Sequence, residues 1–409
     1  MNALQNTLPP AAAMSASPWP RNARALLGLL EKISHGRLEI RLPDGGLWSC
    51  GDGGSSVTLV IASWSVFDHI LERGDVGFAE AWIDGEWETS DLTGLLTLLA
   101  NNREALANAV YGQWPSLLAA RLRHFFNANT RSGSRRNIMA HYDLGNDFYS
   151  RWLDPTMSYS SALYSGDAHR SLELAQRAKY LRILRRLNSR PGQRVLEIGC
   201  GWGGFAEIAA REAGVDVVGV TLSPAQLDYA RQRIERAGLA GQVRLELCDY
   251  RDLPGEKFDH IVSIEMFEAV GERWWPSYFK TIKRMLAPEG RALVQSITIR
   301  DELFARYRRG TDFIQQHVFP GGMLPSPSAF SRQAAKAGLT VRDVFAFGAD
   351  YSRTLAAWSQ HFEAQWPTIA AQGFDQRFLR LWRFYLAYSQ AGFNSGCTDV
   401  MQFELVHRP

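Results

Sequence analysis

The run Arg194-Val195-Leu196-Glu197-Ile198 feeds directly into Gly199-Cys200-Gly201-Trp202-Gly203-Gly204, and a helical pattern from Phe205 to Ala213 follows. Glycines at this density after a buried run mark a backbone that turns sharply and comes close to a ligand. Apolar strand, glycine loop and helix together make the opening of a βαβ unit. The pattern continues downstream. Val215 to Leu222 reads as a strand, and Pro224 to Ala237 as a helix with Ser223 as its N-cap. Val243 to Leu247, His260 to Ile264 and Ala292 to Ile299 supply further strands. This alternation predicts an α/β, Rossmann-like, doubly wound and mostly parallel sheet.

Gly199, Gly201 and Gly204 satisfy G-x-G-x-x-G, so a dinucleotide-binding protein is one reading. That reading expects an acid roughly 20 residues on, for the ribose. Position 219 is Gly, and the strand ends Gly219-Val220-Thr221-Leu222-Ser223, with Thr221 and Gln226 as the polar side chains near it. Glu197, two residues before the first glycine, favours S-adenosylmethionine and a class I methyltransferase domain instead.

The 409 residues are 46% hydrophobic and 21% charged, enough for a full core without disulfides. Cys50, Cys200, Cys248 and Cys397 are scattered without metal-ligand spacing, so neither a metal nor a disulfide framework is expected. A net charge of +3 does not argue for nucleic acid. Residues 1–20, rich in Ala, Ser and Pro, read as a disordered lead without the features of a secretory signal. Residues 21–123 read as a smaller N-terminal α+β domain. It has helical patterns through Leu26 to Ile33, Ser65 to Arg73 and Leu92 to Ala100, and strands at Leu38 to Leu42 and Val57 to Ile61. Residues 124–136 form a basic linker, and 137–409 the larger domain. Arg121, Arg123, His124, Arg131, Arg135 and Arg136, with Phe125 and Phe126, suit either a solvated linker or a surface for anionic lipid. No apolar run reaches the roughly 18 residues that span a bilayer. The expectation is a cytoplasmic protein, peripheral on the inner membrane surface.

More specific motifs then accumulate. Val195 to Gly204, followed by Gly219-Val220-Thr221-Leu222-Ser223 and Gln226, resembles the cyclopropane-fatty-acyl-phospholipid synthase family. So do His141-Tyr142-Asp143-Leu144-Gly145-Asn146-Asp147-Phe148-Tyr149, Leu153 to Ser160, and Met266-Phe267-Glu268-Ala269-Val270-Gly271. Phe319 to Ser326 and Tyr351-Ser352-Arg353-Thr354-Leu355 with Trp358 complete a resemblance that covers about Asn137 to Gln402. It implies methyl transfer from S-adenosylmethionine to a cis double bond of an unsaturated phospholipid acyl chain. A carbocation then loses a proton to a base, in this family a bound bicarbonate. A homodimer is an assembly this reading allows.

Residue by residue, the resemblance implies that Tyr159, Ser160, Gly199, Gly201, Thr221, Gln226, Asp249 and Tyr250 touch the cofactor. Glu268 and Tyr351 match bicarbonate-holding positions, and Ile297 and Ser161 match positions that contribute main chain. Two departures stand out: Gln295 where the family has His, and Ala269 where a His usually follows the motif Glu. An amide donates a hydrogen bond but carries neither charge nor proton. The product therefore stays open between a cyclopropane and a methyl-branched chain, and a lipid-binding protein with altered chemistry is the rival from another class.

Overall fold

A computed structural model describes residues 18–53, 56–106 and 144–408. The basic stretch from Arg121 to Arg136, His141 to Asp143, and residues 1–17 of the lead lie outside the described residues.

A four-stranded sheet forms first, from β1 (Arg37–Arg41), β2 (Leu47–Cys50), β3 (Ser56–Ile61) and β4 (Trp87–Glu88), in the order β2-β1-β3-β4. Alternation makes it one-sided: Leu38 and Ile40 of β1 and Val57, Leu59 and Ile61 of β3 are buried while their neighbours are more exposed. Helices Arg21–Leu30, Ser65–Arg73, Asp75–Ile83 and Leu92–Asn101 complete this α+β unit.

The larger sheet has seven strands: β5 (Arg194–Ile198), β6 (Asp216–Thr221), β7 (Val243–Leu247), β8 (Phe258–Ile264), β9 (Leu286–Ile299), β10 (Leu339–Ala346) and β11 (Thr398–His407). Their order is β10-β11-β9-β8-β5-β6-β7. Strands β5 to β9 run parallel, whereas β11 pairs antiparallel with both β9 and β10. Val195, Leu196 and Ile198 are buried, as a strand covered on both faces requires. Ser223 caps the helix Pro224–Arg236 by accepting from the Gln226 N–H, with Pro224 in the first turn. Order reverses between β5 and β8, so the crevice beyond their carboxyl ends is where such a sheet places a ligand.

Helices Gly348–Ala370 and Gln376–Asn394 pack on each other, and Leu92–Asn101 and Asp75–Ile83 pack on the second of them. Trp82 Nε1 donates to the Arg380 carbonyl at 3.0 Å, and the Arg380 guanidinium lies 4.1 Å from the Trp82 ring centre. Phe67, Trp82 and Trp87 share one apolar core with Trp358, Trp382 and Phe384. The N-terminal unit is thus fused to the helices above the larger sheet, and an apolar cavity remains between them.

Candidate active site

Two cavities open beyond the carboxyl ends of β5 and β8. The smaller, about 160 Å³, is lined by Tyr159, Ser160, Gly199, Gly201, Thr221, Gln226, Asp249 and Tyr250, which the sequence singled out as one set. Gly201 has φ +50°, and a Cβ there would point into open space. Gly199, at φ +86°, would drive a Cβ to 2.8 Å from Met266 Cγ. Both positions need glycine, the first to keep the cleft clear and the second for packing. Thr221 Oγ1 lies 3.1 Å from Gln226 Oε1, so these two side chains form a pair at the cleft wall. Both Asp249 carboxylate oxygens are taken by Arg251, at 2.9 and 2.5 Å. Glu197 is buried with one oxygen that has no partner among the described residues, and burial drives its carboxyl well above the usual range, opposed by Lys179. An unsatisfied buried acid beside an open glycine cradle fits a polar, cationic ligand.

The larger cavity, about 370 Å³, is predominantly apolar, with Asp75, Arg103, Glu265, Glu268 and Asp312 among the residues that line it. Leu38, Ile40 and Leu59 of the small sheet form one side, and Ile297, Leu355 and Phe384 the other. Tyr159, Glu265 and Ala269 line both cavities, so the two meet there.

Glu265 is the centre of this junction. It sits just past β8 with φ +50°, a left-handed conformation that costs a non-glycine residue about 1–2 kcal/mol. Its Oε1 accepts from the Ser161 main-chain N–H at 2.8 Å and from Gln295 Nε2 at 2.7 Å. Its Oε2 accepts from the Tyr351 hydroxyl at 2.7 Å. Three sequence-singled residues thus converge on an acid that was not singled out. The signal available was a second acid in Ser263-Ile264-Glu265-Met266-Phe267-Glu268, at the end of a central strand.

Glu268 sits one step away. Its Oε1 accepts from the Ile297 main-chain N–H and, at 3.1 Å, from Ser296 Oγ, while Oε2 has no partner among the described residues. Burial pushes its carboxyl up to about 8, and Glu265 adds to the rise. The Ser161, Gln295 and Tyr351 donors expected to hold a bicarbonate are therefore bonded to Glu265, and the Ile297 N–H to Glu268. The residues present do not fit a separate anion at that place.

Two further supports were not legible in the sequence. Lys179 is fully buried, with Nζ 2.5 Å from Ser160 Oγ and 2.6 Å from Gln176 Oε1. Burial lowers it to about 8, against the pull of Glu265, Asp154 and Glu197. The loop bearing Tyr159 to Ser165 hangs on the helix Gly348–Ala370: Thr354 Oγ1 accepts from the Ala162 N–H at 3.1 Å, and Asp350 from the Tyr164 N–H at 2.8 Å. Tyr159 packs among Tyr149, Trp152, Phe319 and Trp358, and its hydroxyl meets that of Tyr385 at 2.7 Å.

Comparison with known proteins adds three kinds of likeness. Residues 129–403 match the family described as mycolic acid cyclopropane synthetase. The chain is 35% identical to the tuberculostearic acid methyltransferase of Mycobacterium tuberculosis, over 97% of each chain. It is 36% identical to the cyclopropane-fatty-acyl-phospholipid synthase of Escherichia coli, over 87% of this chain and 88% of the other. The crystal structure of the mycolic acid cyclopropane synthase CmaA1 complexed with SAH and CTAB superposes with a TM-score of 0.62 at 33% identity, covering 66% of this chain and 97% of that one.

Proposed function

The chain belongs to the mycolic acid cyclopropane synthetase family and is an S-adenosylmethionine-dependent methyltransferase of unsaturated acyl chains; on that premise we propose how its own residues carry the reaction. The observation that carries the reading is the meeting of a polar cleft and an apolar cavity at Tyr159, Glu265 and Ala269. The glycine cradle at Gly199 and Gly201, with Tyr159, Ser160, Thr221, Gln226, Asp249 and Tyr250, holds the methyl donor. When bound, that donor supplies an electrophilic methyl group on a sulfonium. The apolar cavity takes the acyl chain of an unsaturated phospholipid and presents a cis double bond at the junction.

An alkene is a poor nucleophile, so orientation of the two partners where the cavities meet supplies much of the rate. Aromatic rings that line the apolar cavity, those of Tyr159, Phe319 and Tyr385, stabilise positive charge that develops on the chain. Loss of a proton from the added methyl closes a cyclopropane ring, which is the first reading of the product. Loss from a neighbouring chain carbon leaves a methyl-branched alkene. Gln295, a neutral amide where the family has His, donates to Glu265 at the junction and is the observation that raises this second outcome.

Delivery of such a substrate requires contact with a bilayer. No helix among the described residues is long and apolar enough to cross a membrane. The basic, aromatic stretch from Arg121 to Arg136 supports peripheral attachment to an anionic, cytoplasmic membrane face.

The test is expression in a host fed isotopically labelled methionine, with mass spectrometry of its phospholipids. New label within acyl chains, dependent on their unsaturation, is the expected result. Label confined to headgroups would overturn the reading.

A further inference from the structure

Glu265 has no role in the reading carried from the family, yet it holds the position where the two cavities join. Ser161 N–H, Gln295 Nε2 and the Tyr351 hydroxyl form a cup of three donors, and the Glu265 carboxylate fills it. We propose that Glu265 stands in place of an external bicarbonate and is the built-in base that takes the proton from the acyl carbocation. This rests on the reading of the chain as an acyl methyltransferase.

The lone pairs support it. A carboxylate offers about four acceptor directions. Oε1 accepts two hydrogen bonds and Oε2 accepts one. One direction on Oε2 is therefore left for a proton at the junction. The strained backbone adds an independent argument. A glutamate held at φ +50° would relax as glycine, so the carboxyl is kept there against a local cost. Burial also raises this carboxyl above its ordinary range, which makes it a stronger base, while Lys179 keeps the ionised form accessible.

The step balances. The alkene π pair forms the new bond to the methyl carbon and leaves the cation on the neighbouring carbon. Glu265 Oε2 takes a proton either from the newly added methyl group, one carbon removed from the charge, or from the chain carbon adjacent to the charge. The C–H electron pair either closes the ring or forms the new double bond, and the carboxylic acid returns its proton to solvent between turnovers. No external base enters.

The experiment uses full-length protein and two variants. Glu265→Gly opens the cup, and glycine accepts the left-handed backbone without strain. Glu265→Gln keeps the shape and removes the basic oxygen. Binding of carbon-13 bicarbonate, in the presence of S-adenosylhomocysteine, is followed by NMR and needs no turnover. Wild type is expected to show no saturable binding and Glu265→Gly to show it. In carbon-dioxide-free buffer with unsaturated phospholipid vesicles, wild type keeps its full rate. Both variants fall by about 10²–10⁴-fold, the usual worth of a positioned base. Added bicarbonate restores Glu265→Gly but not Glu265→Gln. Saturable bicarbonate binding to wild type, stimulation of its rate by bicarbonate, or a Glu265→Gly rate equal to wild type without the anion would each overturn the proposal. If wild type methylates no unsaturated lipid, the functional reading fails, and the binding comparison still decides what fills the cup.

Discussion

Gln402 Nε2 donates to the side-chain oxygen of Gln295 at 2.9 Å, across the β9–β11 pair in which these two residues stand directly opposite. That contact sets which end of the Gln295 amide faces Glu265. Arg182 can only donate, and it donates to the side-chain oxygen of Gln402. The Gln402 amide group therefore points to Gln295, whose own amide group then points to Glu265. Arg182 is held in turn over the Phe345 ring, 3.7 Å from its centre. One cation fixes the direction of the whole relay.

Removing the relay should misplace the acid without touching the cofactor cleft. Gln402→Leu leaves the Gln295 oxygen unsatisfied, at a cost of about 1–3 kcal/mol, and frees its amide to turn. The expected outcome is a kcat lower by roughly tenfold, equivalent to about 1.4 kcal/mol. Affinity for S-adenosylmethionine should stay within about twofold, because Gln402 does not line that cleft. Steady-state kinetics and calorimetry on one preparation check both halves.

Gly201 tests the cradle. A valine there meets no protein atom through its Cβ, so its side chain projects into the space proposed for the ligand, in a left-handed backbone that β-branched residues resist. Calorimetry should show S-adenosylmethionine binding abolished in a Gly201→Val protein that remains folded by circular dichroism. Unchanged affinity would remove the donor from this loop.

Glu268 should leave a mark on stability against pH. An ordinary Glu releases its proton near 4.5, whereas the folded chain holds this one up to about 8. Between those values the native state binds more protons than the unfolded state, so the group makes stability fall as pH rises. Melting temperatures of wild type and Glu268→Gln should diverge with rising pH across that window, wild type losing more. The difference should level off above about 8. Parallel curves would show that the carboxyl titrates normally.

Much of this was readable from the chain because it is local. The β5–glycine loop–helix unit lies in one segment, as does the Ser223–Pro224 helix start, and both appear where pattern and capping place them. The helix Asp75–Ile83 carries no amphipathic stripe, since seven of its residues are buried around its whole circumference, so periodicity could not find it. Strands β10 and β11 close the sheet antiparallel, beyond the βα alternation that announced the rest. Glu265 was hidden for a different reason. Its partners come from positions 161, 295 and 351, three segments that only the fold brings together. Gln295 looked like a lost histidine, and its partner acid thirty residues earlier explains what the amide does.

Membrane attachment through the basic stretch predicts sensitivity to salt, since attraction of exposed charges is screened over roughly 8 Å at physiological ionic strength. Sedimentation with anionic vesicles should weaken as salt rises and when Arg135 and Arg136 are neutralised. Equal binding to neutral and anionic vesicles at every salt concentration would contradict this.

The most direct test of the account follows the methyl hydrogens themselves. Purified enzyme is given S-adenosylmethionine with a fully deuterated methyl group and vesicles of an unsaturated phospholipid, and the acyl products are read by gas chromatography with mass spectrometry. The account predicts one labelled carbon added at the former double bond. Ring closure keeps two of its deuterium atoms, and proton loss from the chain keeps all three. Consumption of the methyl donor with no label in any acyl chain, or label in chains that never held a double bond, would contradict it.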